Sequence, residues 1–179
     1  MRLKELYKKK IIPEVMKRFK LDNPFEVPRI EKIVINMGVS TGKIDVKVFD
    51  EAMEELSLIT GQRPSIRRAK KSISNFKIRK GIPVGCKVTL HGRRMYEFLD
   101  RFINVGLPRI RDFKGVSLKG FDRQANYTLG LSDESIFPEV NLDKITKTKG
   151  LSISIVTSSS DVERCRCLLE LFGIPFIRS

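Results

Sequence analysis

The residues of this chain that could do chemistry are mostly cations, and many of them lie in one stretch. Between Leu56 and Tyr96 there are 11 lysines or arginines and no aspartate or glutamate. The whole chain has 21 acidic residues, so a stretch of this length should hold roughly five if charge were scattered. Apolar residues interrupt the stretch throughout, which predicts a folded cationic surface. Such a surface attracts polyanions, and a phosphate backbone is the most common of these.

Residues that could support catalysis or metal binding are few. His91 is the single histidine, and no nucleophile is placed to use it as a base. The run Gly38–Lys43 lacks the glycine spacing and the serine or threonine of a phosphate loop. Cys165 and Cys167 point to different faces of a predicted helix and Cys86 is distant, so a closed zinc site lacks ligands. The sequence therefore predicts no enzyme, no cofactor and no metal.

Length and composition favour one domain in the cytosol. The 179 residues, 41% of them hydrophobic, suffice for one core, and the net charge of +14 is typical of nucleic-acid binders. No apolar run approaches the roughly 20 residues of a bilayer span. The N-terminus lacks the apolar region of a signal peptide. We expect a cytoplasmic protein that does not enter a membrane, with residues 1–179 forming a single domain.

Hydrophobic periodicity predicts the elements that position the cations. Three- and four-residue steps predict a basic N-terminal helix over Leu3–Phe19, in which Pro13 is either an interruption or a second start. Similar steps predict helices over 48–59, over 95–103 and after Ser160, which forms a capping box with Glu163. Apolar runs and alternation predict strands over 30–37, 63–69, 84–90, 126–131 and 151–157. We expect an α+β fold whose antiparallel sheet carries helices on one face and leaves the other free.

Side-chain alternation predicts which strand residues lie on the free face. If Ile35, Ile66 and Val88 face the helices, their neighbours face outward. The resulting outer face gathers amides, hydroxyls and cations without a carboxylate: Asn36, Ser65, Arg67, Lys87 and Thr89. These groups suit phosphates, ribose hydroxyls and base edges. An ordinary solvated sheet face is the alternative.

The segment Lys70–Pro83, called here the 70–83 loop, is a second candidate site. It is too long for a tight hairpin turn, and structureless loops above about 12 residues are usually functional or disordered. Its cations can neutralise phosphates, and Phe76 and Ile78 can contact a base, a ribose or a protein. An unstructured solvated loop is the alternative. We expect mobility here because the loop offers few core residues.

Six segments resemble the large-subunit ribosomal protein "L five" family, of bacterial or organellar type. They are Ile30–Val39, Arg68–Leu90, Leu107–Val116, Asn126–Leu131, Ile136–Val140 and Phe172–Phe176, in register over essentially the whole chain. The resemblance implies an RNA-recognition-like fold and a single RNA-binding domain. It further implies a structural protein that binds 5S rRNA and helps attach it, beside 23S rRNA, at the central protuberance of the large subunit.

The resemblance also implies where the contacts lie. The 5S rRNA contact is carried over to the five residues of the outer face. The 70–83 loop is implied to reach P-site tRNA, through Lys70, Lys71, Ser72, Asn75, Phe76, Lys77, Arg79 and Lys80. Another surface is implied to bridge to small-subunit protein "S thirteen", and other central-protuberance proteins are further partners. An RNA-processing enzyme and a DNA architectural protein are the rival hypotheses.

Overall fold

The sheet of the computed structural model, which describes residues 2–39, 46–76, 78–140 and 149–177, has five strands. They are β1 (Ile30–Gly38), β2 (Ser65–Arg68), β3 (Pro83–Leu90), β4 (Tyr127–Leu131) and β5 (Leu151–Thr157). The sheet is antiparallel, and its spatial order is β2-β3-β1-β5-β4. Strand β1 is therefore central, and β2 and β4 lie at the edges. The predicted α+β fold is confirmed.

The N-terminal basic helix forms, and Pro13 lies in the first turn of its second part. It consists of α1 (Arg2–Leu6), a π-helical turn over Tyr7–Ile11 and α2 (Ile12–Phe19). Proline has no amide hydrogen to donate and its ring crowds the preceding turn. A widened π-helical turn before the proline absorbs this conflict. Of the two predicted alternatives, Pro13 thus marks a second start, after a change of helical type within a continuous helical segment.

Further α-helices of the described residues are α3 (Val46–Thr60), α4 (Gly92–Arg101), which a π-helical turn over Phe102–Gly106 continues, and α5 (Val162–Phe172). Helix α5 begins one residue later than predicted, because Asp161 is its N-cap in place of Ser160. The Asp161 carboxylate accepts hydrogen bonds from the backbone N–H groups of Glu163 at 3.0 Å and Arg164 at 3.2 Å. A left-handed Gly173 (φ 103°) ends the helix, where the sequence predicts its stop.

Backbone contacts divide the chain into two compact units, and the boundary falls inside β1. Unit 1 comprises residues 1–33, 90–129 and 154–179, and unit 2 comprises residues 34–89 and 130–153. Buried side chains of unit 2 include Ile35, Met37, Leu56, Ile59, Cys86 and Val88. Unit 2 carries all the residues of the predicted outer face and the whole 70–83 loop. The single-domain organisation stays a prediction.

Candidate nucleic-acid interface

Burial alternates over residues 33–37 of β1 and 86–90 of β3 as the sequence predicts, whereas Val84, also expected on the buried face, is half-buried and Gly85 is buried. The buried residues are Ile33, Ile35 and Met37 in β1 and Cys86, Val88 and Leu90 in β3. Asn36, Lys87 and Thr89 lie between them and are only half-buried. Because β1 and β3 are neighbours and successive side chains alternate between faces, these three residues lie on the less buried face of the sheet.

Strand β2 adds two more predicted residues to this face. Ser65 lies directly opposite Lys87, and Arg67 lies opposite Gly85. Residues that oppose each other across a strand pair share a face. The Ser65 hydroxyl donates a hydrogen bond to the Lys87 carbonyl oxygen at 3.0 Å. The structure therefore brings all five residues of the outer face together within unit 2.

The inner face of β2 differs from expectation in its burial. Ile66 lies opposite Cys86, so it does point to the inner face, but 43% of its surface is exposed. All four residues of β2 are exposed, because it is a short strand at the edge of the sheet. The edge strand thus supplies polar groups to the outer face and little to the core.

Gly85 is a component of the outer face that sequence reasoning missed. A Cβ atom at this position would lie 2.6 Å from the Met37 carbonyl oxygen and 3.5 Å from the Gly38 Cα. The backbones of β1 and β3 therefore approach closely here, and no side chain projects from β3 beside Arg67. A glycine inside an alternating strand was the available signal.

Charge is distributed unequally between the two faces of these strands. Within the described part of the chain, neither Arg67 nor Lys87 has an acidic partner. On the opposite face, burial raises the pKa of the Cys86 thiol to about 11, so this group is neutral at physiological pH. The outer face thus presents cations without carboxylates, and the Cys86 thiol on the opposite face carries no charge.

The 70–83 loop is a paired extension of the β2–β3 hairpin. The Ala69 N–H donates to the Ile82 carbonyl at 2.8 Å, and the Gly81 N–H donates to the Ala69 carbonyl at 2.9 Å. Further out, Ile73 and Ile78 exchange backbone hydrogen bonds of 2.9 and 3.1 Å across a 3₁₀ turn at Ser74–Phe76. The loop therefore has defined backbone pairing and differs from the unstructured loop considered as the alternative. Its mobility in solution stays a prediction.

Side chains add two contacts to this backbone pairing. The Ser72 hydroxyl oxygen accepts from the Lys80 N–H at 3.0 Å, and Arg68 Nη1 donates to the Gly81 carbonyl at 3.1 Å. Sequence reasoning did not single out Arg68, although it lies in the acid-free stretch. Six predicted tRNA-contacting residues besides Ser72 are exposed: Lys70, Lys71, Asn75, Phe76, Arg79 and Lys80. The remaining one, Lys77, lies outside the described residues.

His91 and the three cysteines are the residues that the sequence offers for catalysis or metal binding. His91 is exposed before α4, with Nδ1 3.3 Å from the Glu31 carbonyl oxygen. The three cysteines are free and buried. In the described ranges, no three histidine, cysteine or acidic side chains come together as a metal site. Likewise, no helix there is long and apolar enough to cross a membrane. Part of Gly38–Lys43 lies outside the described residues.

Comparison with known proteins covers nearly the whole chain. Residues 83–176 match the model for the C-terminus of the ribosomal L5 family, and residues 23–79 match the family described as ribosomal protein L5. The chain is 57% identical over 175 residues to the large ribosomal subunit protein uL5 of Geobacter sulfurreducens. It is 55% identical to that of Geotalea uraniireducens and 53% identical to that of Macrococcus caseolyticus. All three alignments cover 98% of both chains.

Proposed function

This chain belongs to the ribosomal protein L5 family, and we propose that it binds 5S rRNA through the outer face of its sheet. As a member of this family it is a structural, non-enzymatic component of the large ribosomal subunit, and it resides with the ribosome in the cytoplasm. Its proposed task is to help attach 5S rRNA at the central protuberance. The observation that carries the proposal is the outer face itself: five polar or cationic side chains with no carboxylate among them.

The outer face offers each kind of contact that folded RNA requires. Arg67 and Lys87 can displace counterions from phosphates, which supplies affinity without sequence preference. The Ser65 proton is committed to the Lys87 carbonyl, so its oxygen is left to accept from a ribose 2′-hydroxyl or a base amino group. Asn36 and Thr89 can both donate and accept. Together these groups would fix the register of the RNA on the sheet.

Gly85 supports the same proposal by its lack of a side chain. Because Gly85 lies opposite Arg67, no side chain projects from β3 directly beside this arginine. A Cβ atom at Gly85 would lie 2.6 Å from the Met37 carbonyl oxygen, so a side chain there would disturb the pairing of β1 and β3. Glycine commonly marks a close approach of backbone to a ligand or to another backbone.

We further propose that the 70–83 loop contacts P-site tRNA. Backbone hydrogen bonds pair the base of the loop and its tip, and Phe76 is 66% exposed and available to pack on a ribose or base. Contacts of this kind are individually weak. They become effective inside an assembled particle, where the effective concentration of the tRNA is high.

Other partners follow from family membership alone and are part of the same proposal. They are 23S rRNA, small-subunit protein "S thirteen" in an intersubunit bridge, and other proteins of the central protuberance. A chain of 179 residues would have to use separate surfaces for these contacts. The outer face and the 70–83 loop account for two of the surfaces that the whole set of partners requires.

Two sets of substitutions test the proposed separation of contacts. Arg67→Gln with Lys87→Gln removes two cations from the outer face, and should weaken 5S rRNA binding while sparing tRNA retention on assembled ribosomes. Replacing the loop cations Lys70, Lys71, Lys77, Arg79 and Lys80 by alanine should have the opposite pattern. Lys4→Gln with Lys8→Gln, at exposed positions of the N-terminal helix, controls for the loss of two charges. Equal loss of both activities in both sets would contradict the proposal.

A further inference from the structure

Phe25 is the most exposed large apolar side chain in the described part of the chain, with 93% of its surface accessible. It lies in unit 1, at the centre of the 3₁₀ turn Pro24–Glu26. The proposed RNA contacts do not use it. A single exposed apolar residue is common on protein surfaces, but it becomes informative when its backbone is fixed and its surroundings carry a distinct charge.

Hydrogen bonds fix the turn that carries Phe25. The Asn23 side chain accepts from the Phe25 N–H at 2.9 Å, and the Asn23 carbonyl accepts from the Glu26 N–H at 3.1 Å. The Pro24 carbonyl accepts from the Val27 N–H at 3.3 Å, and the ring of this proline restricts the backbone further. The turn is therefore held in one conformation, which presents the phenylalanine ring to solvent.

The chain that follows the turn is attached to other parts of unit 1. The Pro28 carbonyl accepts from the Tyr7 hydroxyl at 3.1 Å. The Arg29 N–H donates to the Ser158 hydroxyl oxygen at 3.1 Å, and the Arg29 carbonyl accepts from the Ser158 N–H at 3.0 Å. Phe25 thus projects from a preorganised support, which reduces the freedom that would be lost on binding a partner.

The start of helix α5 places a second exposed apolar side chain near this turn. Val162 is the first residue of α5 and is 39% exposed. Arg164, two residues later, has Nε 3.0 Å from the Asp161 carboxylate and Nη1 4.0 Å from the Glu26 carboxylate. The turn and the helix start are therefore neighbours. At 4.0 Å, a pair of partly exposed side chains contributes little, so the Glu26 carboxylate remains available to a partner.

Charge in this part of unit 1 is opposite to that of the whole chain. Residues 21–28 and 158–163, called here the acidic surface, contain four carboxylates and no lysine or arginine. The chain has 35 cations in 179 residues, so segments of this combined length should hold roughly three if charge were scattered. Asp22, Glu26 and Glu163 are exposed. The acidic surface thus combines exposed apolar side chains with carboxylates beside them.

We infer that the acidic surface docks a basic protein of the ribosome, which offers an apolar pocket for the Phe25 ring and lysines or arginines around that pocket. An apolar centre with a polar border is the usual composition of a protein interface. A few aromatic side chains often carry most of the binding free energy, and complementary charges at the border orient the partner. Taking the partner from the ribosome rests on the proposed function, which includes protein partners but assigns them no surface.

The charge of the acidic surface disfavours other partners. Exposed carboxylates repel phosphates, so RNA is expected on the outer face, which has no carboxylate, and not here. A second copy of this chain is disfavoured because each copy carries a net charge of +14, and two such molecules repel each other. A different basic protein can place its cations on the carboxylates without this second basic surface of the same chain.

The test introduces p-benzoylphenylalanine, a photoreactive amino acid, in place of Phe25 in the full-length protein, which is then incorporated into ribosomes. The control carries the same amino acid in place of Leu58, which is 58% exposed and lies outside the acidic surface. After irradiation, nuclease and protease treatment of the adducts shows whether RNA or protein was joined, and mass spectrometry identifies a joined protein. We expect position 25 to give one main adduct, with a protein of positive net charge, and position 58 not to give it.

Charge reversal tests whether the carboxylates recognise this partner. Asp22→Lys with Glu26→Lys should lower the yield of the adduct from position 25 at least about fivefold, because the border then repels a basic protein. Glu5→Lys with Glu14→Lys reverses two exposed carboxylates of the N-terminal helix and should change the yield less than about twofold. Equal yields from the two variants would overturn the inference. So would an adduct with RNA, an adduct with a second copy of the chain, or the absence of a main protein adduct.

Phe25→Ala tests the aromatic anchor. The protein identified in the adduct is purified and titrated against the parent and this variant, which should bind it at least about tenfold more weakly. Because Phe25 is almost fully exposed, thermal melts of parent and variant should coincide, and 5S rRNA binding should be unchanged. Absence of binding by the parent, or binding by the variant within about twofold of the parent, would overturn the inference. Failure of the parent to bind 5S rRNA would instead contradict the proposed function.

Discussion

Replacing Lys149 by methionine tests the buried charge cluster of unit 2, which carries the outer face. Lys149 Nζ donates to both carboxylate oxygens of Glu55 at 2.8 Å, and its backbone N–H donates to the Glu134 carboxylate. The exposed fractions of these residues are 5% for Lys149, 8% for Glu55 and 0% for Glu134. Most cations of the described chain are exposed, whereas Lys149 is buried and compensates the charge of a buried carboxylate. We therefore expect it to stabilise the fold.

The expected cost follows from the burial of the pair. Methionine is close to lysine in length and leaves little cavity, so the lost ammonium is the main change. Removing one partner of a buried ion pair costs about 3–5 kcal/mol because the other charge is left uncompensated. That is a large part of the roughly 5–15 kcal/mol by which proteins of this kind are stable. Glu55→Met combined with Lys149→Met removes both charges and should cost far less.

Urea denaturation of the parent, the single variant and the double variant at neutral pH measures these free energies of unfolding. We expect the single variant to lose about 3–5 kcal/mol and the double variant to regain most of it. A single-variant loss below about 1 kcal/mol, the range of an exposed pair, would refute the reasoning. So would a double variant as unstable as the single one, because the two charges would then be uncoupled.

Three further predictions concern other parts of the fold. Burial raises the pKa of Glu134, so its contribution to stability is present at low pH and is lost as the pH rises above about 4.3. Glu134→Gln should therefore gain stability relative to the parent with rising pH, and parallel urea midpoints across pH would contradict this. Gly85→Ala should lower the free energy of unfolding by about 1–3 kcal/mol. Gly38→Ala, where a Cβ meets nothing within 4 Å, should cost less, and thermal melts that rank the two in reverse would be evidence against the close approach. Asp161→Ala should cost about 1 kcal/mol of stability in urea while Ser160→Ala costs almost none, and equal losses would show that the cap is misassigned.

The outer face could be predicted because the alternation that defines it can be read within the sequence of each strand. A strand with apolar residues at every second position has one possible inner face, and burial alternates in this way over residues 33–37, 86–90 and 151–157. The polar neighbours then have to lie on the other side. The glycine at position 85, inside an alternating strand, indicates the close approach of β1 and β3, but the prediction did not include it. The exposure of Ile66 could not be predicted, because it depends on β2 being at the sheet edge, which is a property of strand order.

Features that depend on distant contacts or on competing local signals were not predictable. Ile73 and Ile78 pair across a turn that contains neither glycine nor proline, so the usual hairpin signal is missing. Ser160 and Asp161 are adjacent residues of good capping type, and the capping-box pattern favoured the wrong one. The Lys149–Glu55 pair joins residues 94 positions apart, and no periodicity in the sequence connects them.

The most direct test of the central claim is a titration of 5S rRNA against the purified protein at several salt concentrations, with tRNA and duplex DNA as competitors. If about six to ten phosphates are engaged, affinity should fall roughly 10³- to 10⁵-fold between about 50 and 200 mM salt. Our account predicts binding that survives a large excess of both competitors and is weakened by Arg67→Gln with Lys87→Gln. Equal competition by all three polyanions would contradict it, because the outer face would then be an electrostatic attractor without a shaped RNA site.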